Sequence, residues 1–358
     1  MTRRLGVALI AVAVAGALMA PLLAPHPDDV RFAGLLNAPP TFPHIVADDG
    51  SWHAPFIYPW RLVSRLEQRY EQDRGRRVAL VWLQSAAGPK GPALQDAAET
   101  RRLVRSSDEA SAPLLLLGAD SFGRDVFSRL LYGARISLSL AAAAALGATL
   151  VGGLVGALAG FAGGATDDVL MRATDFFMVL PAMYVALALR AVLPLVLSAR
   201  QIFLLLAAIF AVVGAPFIAR GVRAIVRSER ALEYAIAAEA LGASAPRLLV
   251  RHLLPAARGF VAVQVMLLVP AFIVAEATLS YVGLGFPDPV ASWGTMLHDA
   301  STNIRVFADF PWLLSPAAAM FLVVFGLNLL LQVGDRSPKG ARSSGARSAK
   351  ASRSFTLG

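Results

Sequence analysis

The chain has no cysteine among its 358 residues, so disulfides and thiolate metal sites are both excluded. Histidine is scarce too. Its five copies, His26, His44, His53, His252 and His298, lack ligand-like spacing, and none lies in a long apolar run, so no metal site is expected. No Gly-x-x-x-x-Gly-Lys-Ser/Thr string occurs, which removes the phosphate cradle of a nucleotide-hydrolysing subunit. No His-Glu-x-x-His occurs, which removes a helical zinc site. No apolar run pairs a serine with a base, as an intramembrane serine protease would need. Charge is thin as well. Only 16% of residues are charged and 56% are hydrophobic, a balance unlike that of soluble domains and typical of a polytopic membrane protein.

The net charge of +9 raises the question of nucleic acid, and its placement answers it. Arg3 and Arg4 precede the first apolar run. Seven Arg and three Glu lie between Arg220 and Arg258, and six Lys or Arg with no acid lie from Arg336 onward. Basic residues placed beside apolar segments follow the positive-inside rule for cytoplasmic loops, and no nucleic-acid footprint is needed. Arg190 and Arg200 are exceptions, falling on the outer face. Residues 337–358, rich in Lys, Arg, Ser, Gly and Ala, read as a disordered tail attracted to anionic lipid by roughly 1 kcal/mol per basic residue.

Leu5 to Leu23 is the first apolar run, and about 20 residues at 1.5 Å each cross a core of roughly 30 Å. A cleaved signal peptide is the rival reading, with Ala17, Ala20 and Ala24 as small residues. The length of the run and Pro21 favour an uncleaved helix. Further spans read from Ile136 to Gly160, Phe176 to Leu195 (with Pro181 and Pro194), Ile202 to Ile218, Ala256 to Tyr281 and Pro316 to Val333. Six spans put both termini on one side. Gly152, Gly156, Gly160 and Gly164 recur every fourth residue, a face that admits another helix backbone. Asp167, Asp168 and Arg172 read as a short polar turn. Glu276 is the carboxylate deep in a span, suited to bonding neighbouring helices or, alternatively, to carrying protons. Trp293 and Trp312 suit interfacial anchoring.

Residues 25–116 form a polar excursion. Pro39, Pro40 and Pro43 make an extended lead-in. Leu62, Leu66 and Tyr70, four apart, predict an amphipathic helix over Trp60 to Arg74. Val78 to Leu83 reads as a short strand, and Gly88 to Ser111 is weakly patterned. Beyond it, Asp120 or Ser121 can cap a helix starting near Arg124 with Phe127, Leu130 and Leu131 on its apolar face.

The most polar interruption of the second half runs from Glu233 to Ala256. A short helix over Ala235 to Leu241 is followed by Gly242, which can adopt positive φ, and then by a second helix through Pro246, Leu248 and Val250. This is either a knob for another protein's groove or an amphipathic loop lying on lipid headgroups.

Ala237-Ala238, Gly242 four residues on, and Leu253-Leu254-Pro255 resemble the EAA loop of importer-type ABC transporter permeases. Gly118-x-Asp120-x-x-Gly123-Arg124-Asp125 resembles the segment before the second membrane helix in C-type permeases of dipeptide, oligopeptide and nickel importers. Ala275 to Gly285 and Ser292-Trp293-Gly294 continue the likeness. The resemblance implies an all-α fold with six membrane helices of the type I importer permease kind. Residues 1–24 would be the first helix, 25–116 a small periplasmic α/β-like insertion, and 117–336 the permease core with a coupling loop at 220–258. It implies a non-enzymatic subunit that binds no cofactor, with ATP and Mg on partner ATPases. Its partners would be a second permease, two ATP-binding subunits, an external substrate-binding protein and membrane lipids. Its place would be the inner membrane, with both termini cytoplasmic. Gly242 would set the angle between the coupling helices, Arg247 and Arg251 would touch the ATPase, and Leu254 and Pro255 would complete the loop.

This chain departs from the family in three places. Ile236 stands where the loop usually carries Glu, with Glu233 and Glu239 on other faces. The excursion is longer than the family spacer, and Gly334-Asp335-Arg336-Ser337-Pro338 replaces the usual ending. Readings of another class are a proton-coupled secondary transporter using Glu276 and Asp175, or a scaffold acting through the excursion and basic tail. The absence of inverted repeats with paired broken helices speaks against the first.

Overall fold

Two long helices run side by side in the same direction in the computed structural model, which describes residues 2–48, 50–83, 102–179, 184, 188, 197–302 and 307–334. In chain order the helices are α1 (Thr2–Leu18), α2 (Ala20–Leu23), α3 (Val126–Ala162), α4 (Gly164–Val179), α5 (Ala199–Arg230), α6 (Glu233–Ala240), α7 (Ala245–Leu248), α8 (Arg258–Tyr281), α9 (Trp293–Ser301) and α10 (Ser315–Gly334). The central pair is α3 and α5. Alanine, the strongest helix former, fills α3 from Ala141 to Ala145. Its cap is Asp125, whose carboxylate accepts from the amides of Phe127 at 3.1 Å and Ser128 at 3.2 Å. The expected cap at Asp120 or Ser121 is thus corrected, because Asp120 turns back on its own loop and accepts from the amides of Phe122 and Arg124 at 2.9 Å. Helix α5 opens with a capping box between Ser198 and Gln201.

The glycine face of α3 meets α5 backbone to backbone. A Cβ on Gly152, Gly156 or Gly160 would stand 2.3, 2.3 or 2.6 Å from the carbonyl oxygens of Ala215, Ala219 and Arg223. The partners advance together along both chains, so the helices are parallel. Gly164 is not part of this face. It lies beyond the end of α3 at φ +53°, and a Cβ there meets nothing within 4 Å. The chain breaks at Gly163 and Gly164, so Asp167, Asp168 and Arg172, expected as a turn, fall in α4. Asp167 sits in its first turn, where an acid suits the helix dipole.

Around this pair, Phe272 of α8 stacks on Phe210 of α5 with centroids 5.4 Å apart. Gly6 of α1 crosses Gly326 of α10 so closely that a Cβ at Gly6 would lie 2.7 Å from its carbonyl oxygen. Leu140, Leu206, Ile218, Val226, Ile273 and Leu279 are buried in the shared core. Among the described residues four helical stretches are long and apolar enough to cross a membrane: Val126–Ala162, Ala199–Arg230, Ala245–Tyr281 and Pro311–Leu331. Helices α1 and α2 cover the first expected run. Of the third expected span, residues 176–179 end α4, while Pro181, Arg190 and Pro194 lie outside the described residues, as do residues 84–101 and the tail from 335.

Between α2 and α3 lies a β module. Its strands are β1 (His44–Val46), β2 (Trp52–Ile57), β3 (Trp60–Ser64), β4 (Arg69–Gln72), β5 (Val78–Trp82) and β6 (Val104–Ser106). β1, β2, β5 and β6 form an antiparallel sheet in that order, and Ile57, Val78, Leu80 and Leu114 make its core. The helix expected over Trp60 to Arg74 is instead the hairpin β3–β4, with Leu62 opposite Tyr70. Burial along β3 alternates residue by residue, the period of a strand, and Leu66 is 95% exposed at the tip. Among the described residues the module has strands and no helix. The Tyr70 hydroxyl donates to the Leu36 carbonyl at 2.7 Å, and burial pushes this phenol up to about 12.

A Gly156→Leu substitution forces a side chain into the Ala219 carbonyl. It should cost at least the ~1–3 kcal/mol of an overpacked core, read as loss of monodisperse protein on size exclusion, whereas Gly153→Leu, facing open space, should be tolerated.

Candidate coupling elbow and outer arginine clasp

At the end where α3 and α5 finish, the chain forms an elbow. α6 closes with Gly242 at φ +84°, where the Gly242 amide donates to Glu239 and the Ala243 amide to Ala238, each at 3.0 Å. The chain then runs through α7, a π-turn at Leu249–Leu253 and a 3-10 turn at Leu254–Ala257 into α8. Ala235, Leu248, Leu253 and Ala257 are buried, so the elbow is seated on the bundle. Its outward side is apolar and basic. Ile236, Leu241 and Val250 are 57%, 89% and 63% exposed, and Ala237, Arg247 and Arg251 are exposed beside them. Ala238, Leu254 and Pro255 are half-buried at the seam. Apolar side chains held out on a rigid support mark a contact surface, for protein or for lipid, rather than a solvated turn.

Three ties brace the elbow. Arg223 donates to both carboxylate oxygens of Asp167 at 2.5 Å, Arg230 reaches the Phe161 carbonyl, and the Tyr234 hydroxyl donates to Glu229 at 2.7 Å. Hydrogen bonds from Arg223, opposed by desolvation, hold Asp167 below the usual carboxylate range. Glu233 and Glu239 are exposed on α6, and Ile236 presents no carboxylate where the resembled motif has one.

At the opposite end the Gly118 to Asp125 loop builds a clasp. Gly123 sits at φ +75°, and a Cβ there would meet the Phe32 carbonyl at 2.5 Å. Gly118, at φ +72°, lies against Trp312, whose indole donates to the Ala119 carbonyl at 3.1 Å. These close passages aim Arg124 inward, where it is fully buried. Its guanidinium donates at 2.6 Å to each of Asp120, Asp288 and Asp299. Arg129 lies alongside and donates to the carbonyls of Asp28 at 3.1 Å and Pro289 at 3.3 Å. Burial raises the Asp299 carboxyl, against the pull of both arginines. His26 meets Asp125 at 3.3 Å, and its own amide donates to the Ser128 hydroxyl at 3.1 Å. Asp288, Asp299, Arg129 and His26 were not singled out by sequence, since their partners lie up to 175 residues away.

Glu276 of α8 is buried between these regions. It accepts from Ser280 at 2.8 Å and Ser292 at 2.7 Å on one oxygen and from Ser137 at 3.0 Å on the other. Ser292 also caps α9, and the Trp293 amide donates to Ser137 at 3.1 Å, so one carboxylate joins α3, α8 and α9. Among the described residues no cluster of three or more metal-ligating side chains occurs.

Long apolar helices with an anchored basic elbow at one end define a membrane-embedded protein with a contact surface at that end. The chain belongs to the family of binding-protein-dependent transport system inner membrane components, which it matches over residues 152–336. It is a permease subunit of this class of ABC importer. It is 40% identical to the oligopeptide transport system permease protein OppC of Bacillus subtilis, over 61% of this chain and 68% of that protein. It is 35% identical to the dipeptide transport system permease protein DppC of the same organism, over 75% of this chain and 85% of that protein. A solved chain of the inward-facing MetNI methionine ABC transporter is 16% identical with a TM-score of 0.44, covering 58% of this chain and 97% of that one.

Removing Arg124 takes the nearest partner from Asp120 and Asp299, leaving them only Arg129 at 3.6 and 3.7 Å, while exposed Asp288 keeps Arg31. Arg124→Ala should destabilise the clasp end by up to about 3–5 kcal/mol, seen as a lower Tm and protease cleavage in the 282–292 loop. Arg74→Ala, whose exposed pair with Asp48 is worth under about 1 kcal/mol, should leave both unchanged.

Proposed function

We propose that this chain forms half of the translocation pathway of an ATP-driven peptide importer. Its partners would be a second permease, two ATP-binding subunits that carry ATP and Mg, and an external substrate-binding protein. The observation that carries this reading is the elbow, buried on the bundle side and apolar and basic on the other. Relatives named for oligopeptide and dipeptide transport support peptides as the cargo class.

Six crossings are the count this reading takes. Parallel α3 and α5 support it, since the chain must cross back between them. With α1, α8 and α10 this gives an even number, with both termini on the elbow's side. The basic residues of 220–258 and Arg3 and Arg4 support placing that side in the cytoplasm. The β module then faces outward.

Closure of the ATPases on ATP would pull the elbow. Because only Ala231 and Leu232 separate α5 from α6, and the Leu249–Ala257 turns run straight into α8, that pull tilts two core helices as levers. Gly242 sets the angle between the coupling helices, and Arg247 and Arg251 contact acidic groups of the ATPase. Exposed apolar side chains at Ile236, Leu241 and Val250 supply docking area without a carboxylate at position 236.

A C-terminally tagged chain extracted gently from its membrane should bring down a second permease and nucleotide-binding ATPases. Gly242→Arg, at a positive-φ position with no Cβ obstruction, should insert normally, lose the ATPases and lose uptake. Isolation of the chain alone, or normal uptake by Gly242→Arg, would contradict this reading.

A further inference from the structure

Two exposed arginines lie at the end where α3 and α5 begin, and the coupling scheme uses neither. Arg135 lines a cleft of about 580 Å³ between α1 and α3, a size usual for small-molecule sites, roughly 300–1,000 Å³. Val14, Ala17 and Leu18 of α1 face Ile136 and Ala142 of α3 across it. Arg200 lines a neighbouring cleft of about 380 Å³ that shares Ile136 and Val290 with the first. Among the described residues no carboxylate forms an ion pair with either arginine. Asp28 lines the first cleft, but burial raises its pKa and weakens it as a competitor.

The surroundings indicate what faces this cleft. Val12 and Leu18 of α1 are 73% and 72% exposed, and Leu146, Leu150 and Leu154 of α3 are all above 60%. The cleft therefore lies between two helices that both expose large apolar side chains, as a lipid-facing surface would. α3 has 37 residues and, at about 1.5 Å each, outruns a hydrocarbon core of roughly 30 Å. Its first turns project past the core, which leaves Arg135 at headgroup depth. A guanidinium there, on apolar walls and with no carboxylate paired to it, matches a phosphodiester with an acyl chain beneath it.

We propose that the α1–α3 cleft is a phospholipid site, in which Arg135 holds the phosphate of one lipid and Leu18, Ile136 and Ala142 line the path of its chain. A resident lipid would fill the seam between α1 and the core while leaving α1 free to shift when the core helices tilt.

The transporter complex, reconstituted in phosphatidylcholine containing a minor fraction of phosphatidylglycerol and then re-extracted, should retain phosphatidylglycerol selectively by mass spectrometry. Arg135→Gln should lower that retention about tenfold, and Arg135→Lys should keep part of it. Ala142→Trp, which fills the cleft and leaves the arginine in place, should expel the lipid, so the test survives if Arg135→Gln fails to assemble. Because the chain has no native cysteine, Leu18→Cys bearing a photocrosslinker reports the neighbour directly, and it should capture lipid. Equal retention in the wild type and both cleft variants would overturn the proposal. Capture of the second permease at Leu18, or retention of peptide in place of lipid, would also overturn it. None of these readouts depends on uptake, so the site can fail while the importer reading stands.

Discussion

The fold depends on a contact between backbones. Three glycines of α3 lie so close to the carbonyl oxygens of α5 that no side chain fits between them. In a bilayer, where apolar burial alone does not drive helices together, such van der Waals approach is the main source of association. The contact also fixes direction. With α3 and α5 locked parallel, both begin at the arginine clasp and both end at the elbow, and all other helices are arranged around that polarity.

The two ends are built on different principles. At the clasp the polar groups satisfy one another: Arg124 joins three carboxylates from separate segments, Asp125 caps α3, and Glu276 gathers three serine hydroxyls. Such an end is rigid and complete in itself. At the elbow the buried side is equally firm, but large apolar side chains and two arginines point away from the protein. A tight clasp end and an unfinished elbow end, linked by stiff helices, suit a lever that a partner pulls from one side.

Local patterns were legible in the sequence, and long-range ones were not. The four-residue spacing of Gly152, Gly156 and Gly160 showed a close helix contact, but Gly164, counted in the same face, stands beyond the end of α3. The elbow was readable because Ala-rich helix, Gly242 and Pro246 each act within a few residues. Leu62, Leu66 and Tyr70 fit a helical face equally well as a hairpin. Cross-strand pairing of Leu62 with Tyr70 decides for the hairpin, and periodicity alone carries no such information. Arg124 was visible within its motif, yet two of its three carboxylates, Asp288 in a loop and Asp299 in α9, lie more than 160 residues on. The cap of α3 moved from Asp120 to Asp125 because Asp120 is committed to Arg124, four residues on.

The central claim is that the elbow and the β module lie on opposite sides of the membrane, and the lack of native cysteine makes it directly measurable. Single cysteines at Leu66, 95% exposed on the hairpin tip, and Leu241, 89% exposed on the elbow, can be challenged with a membrane-impermeant maleimide. The account predicts that Leu66→Cys is labelled once the outer face of the membrane is reached, and Leu241→Cys only after the membrane is permeabilised. Labelling of both from the outer face, or of Leu241→Cys alone, would contradict it.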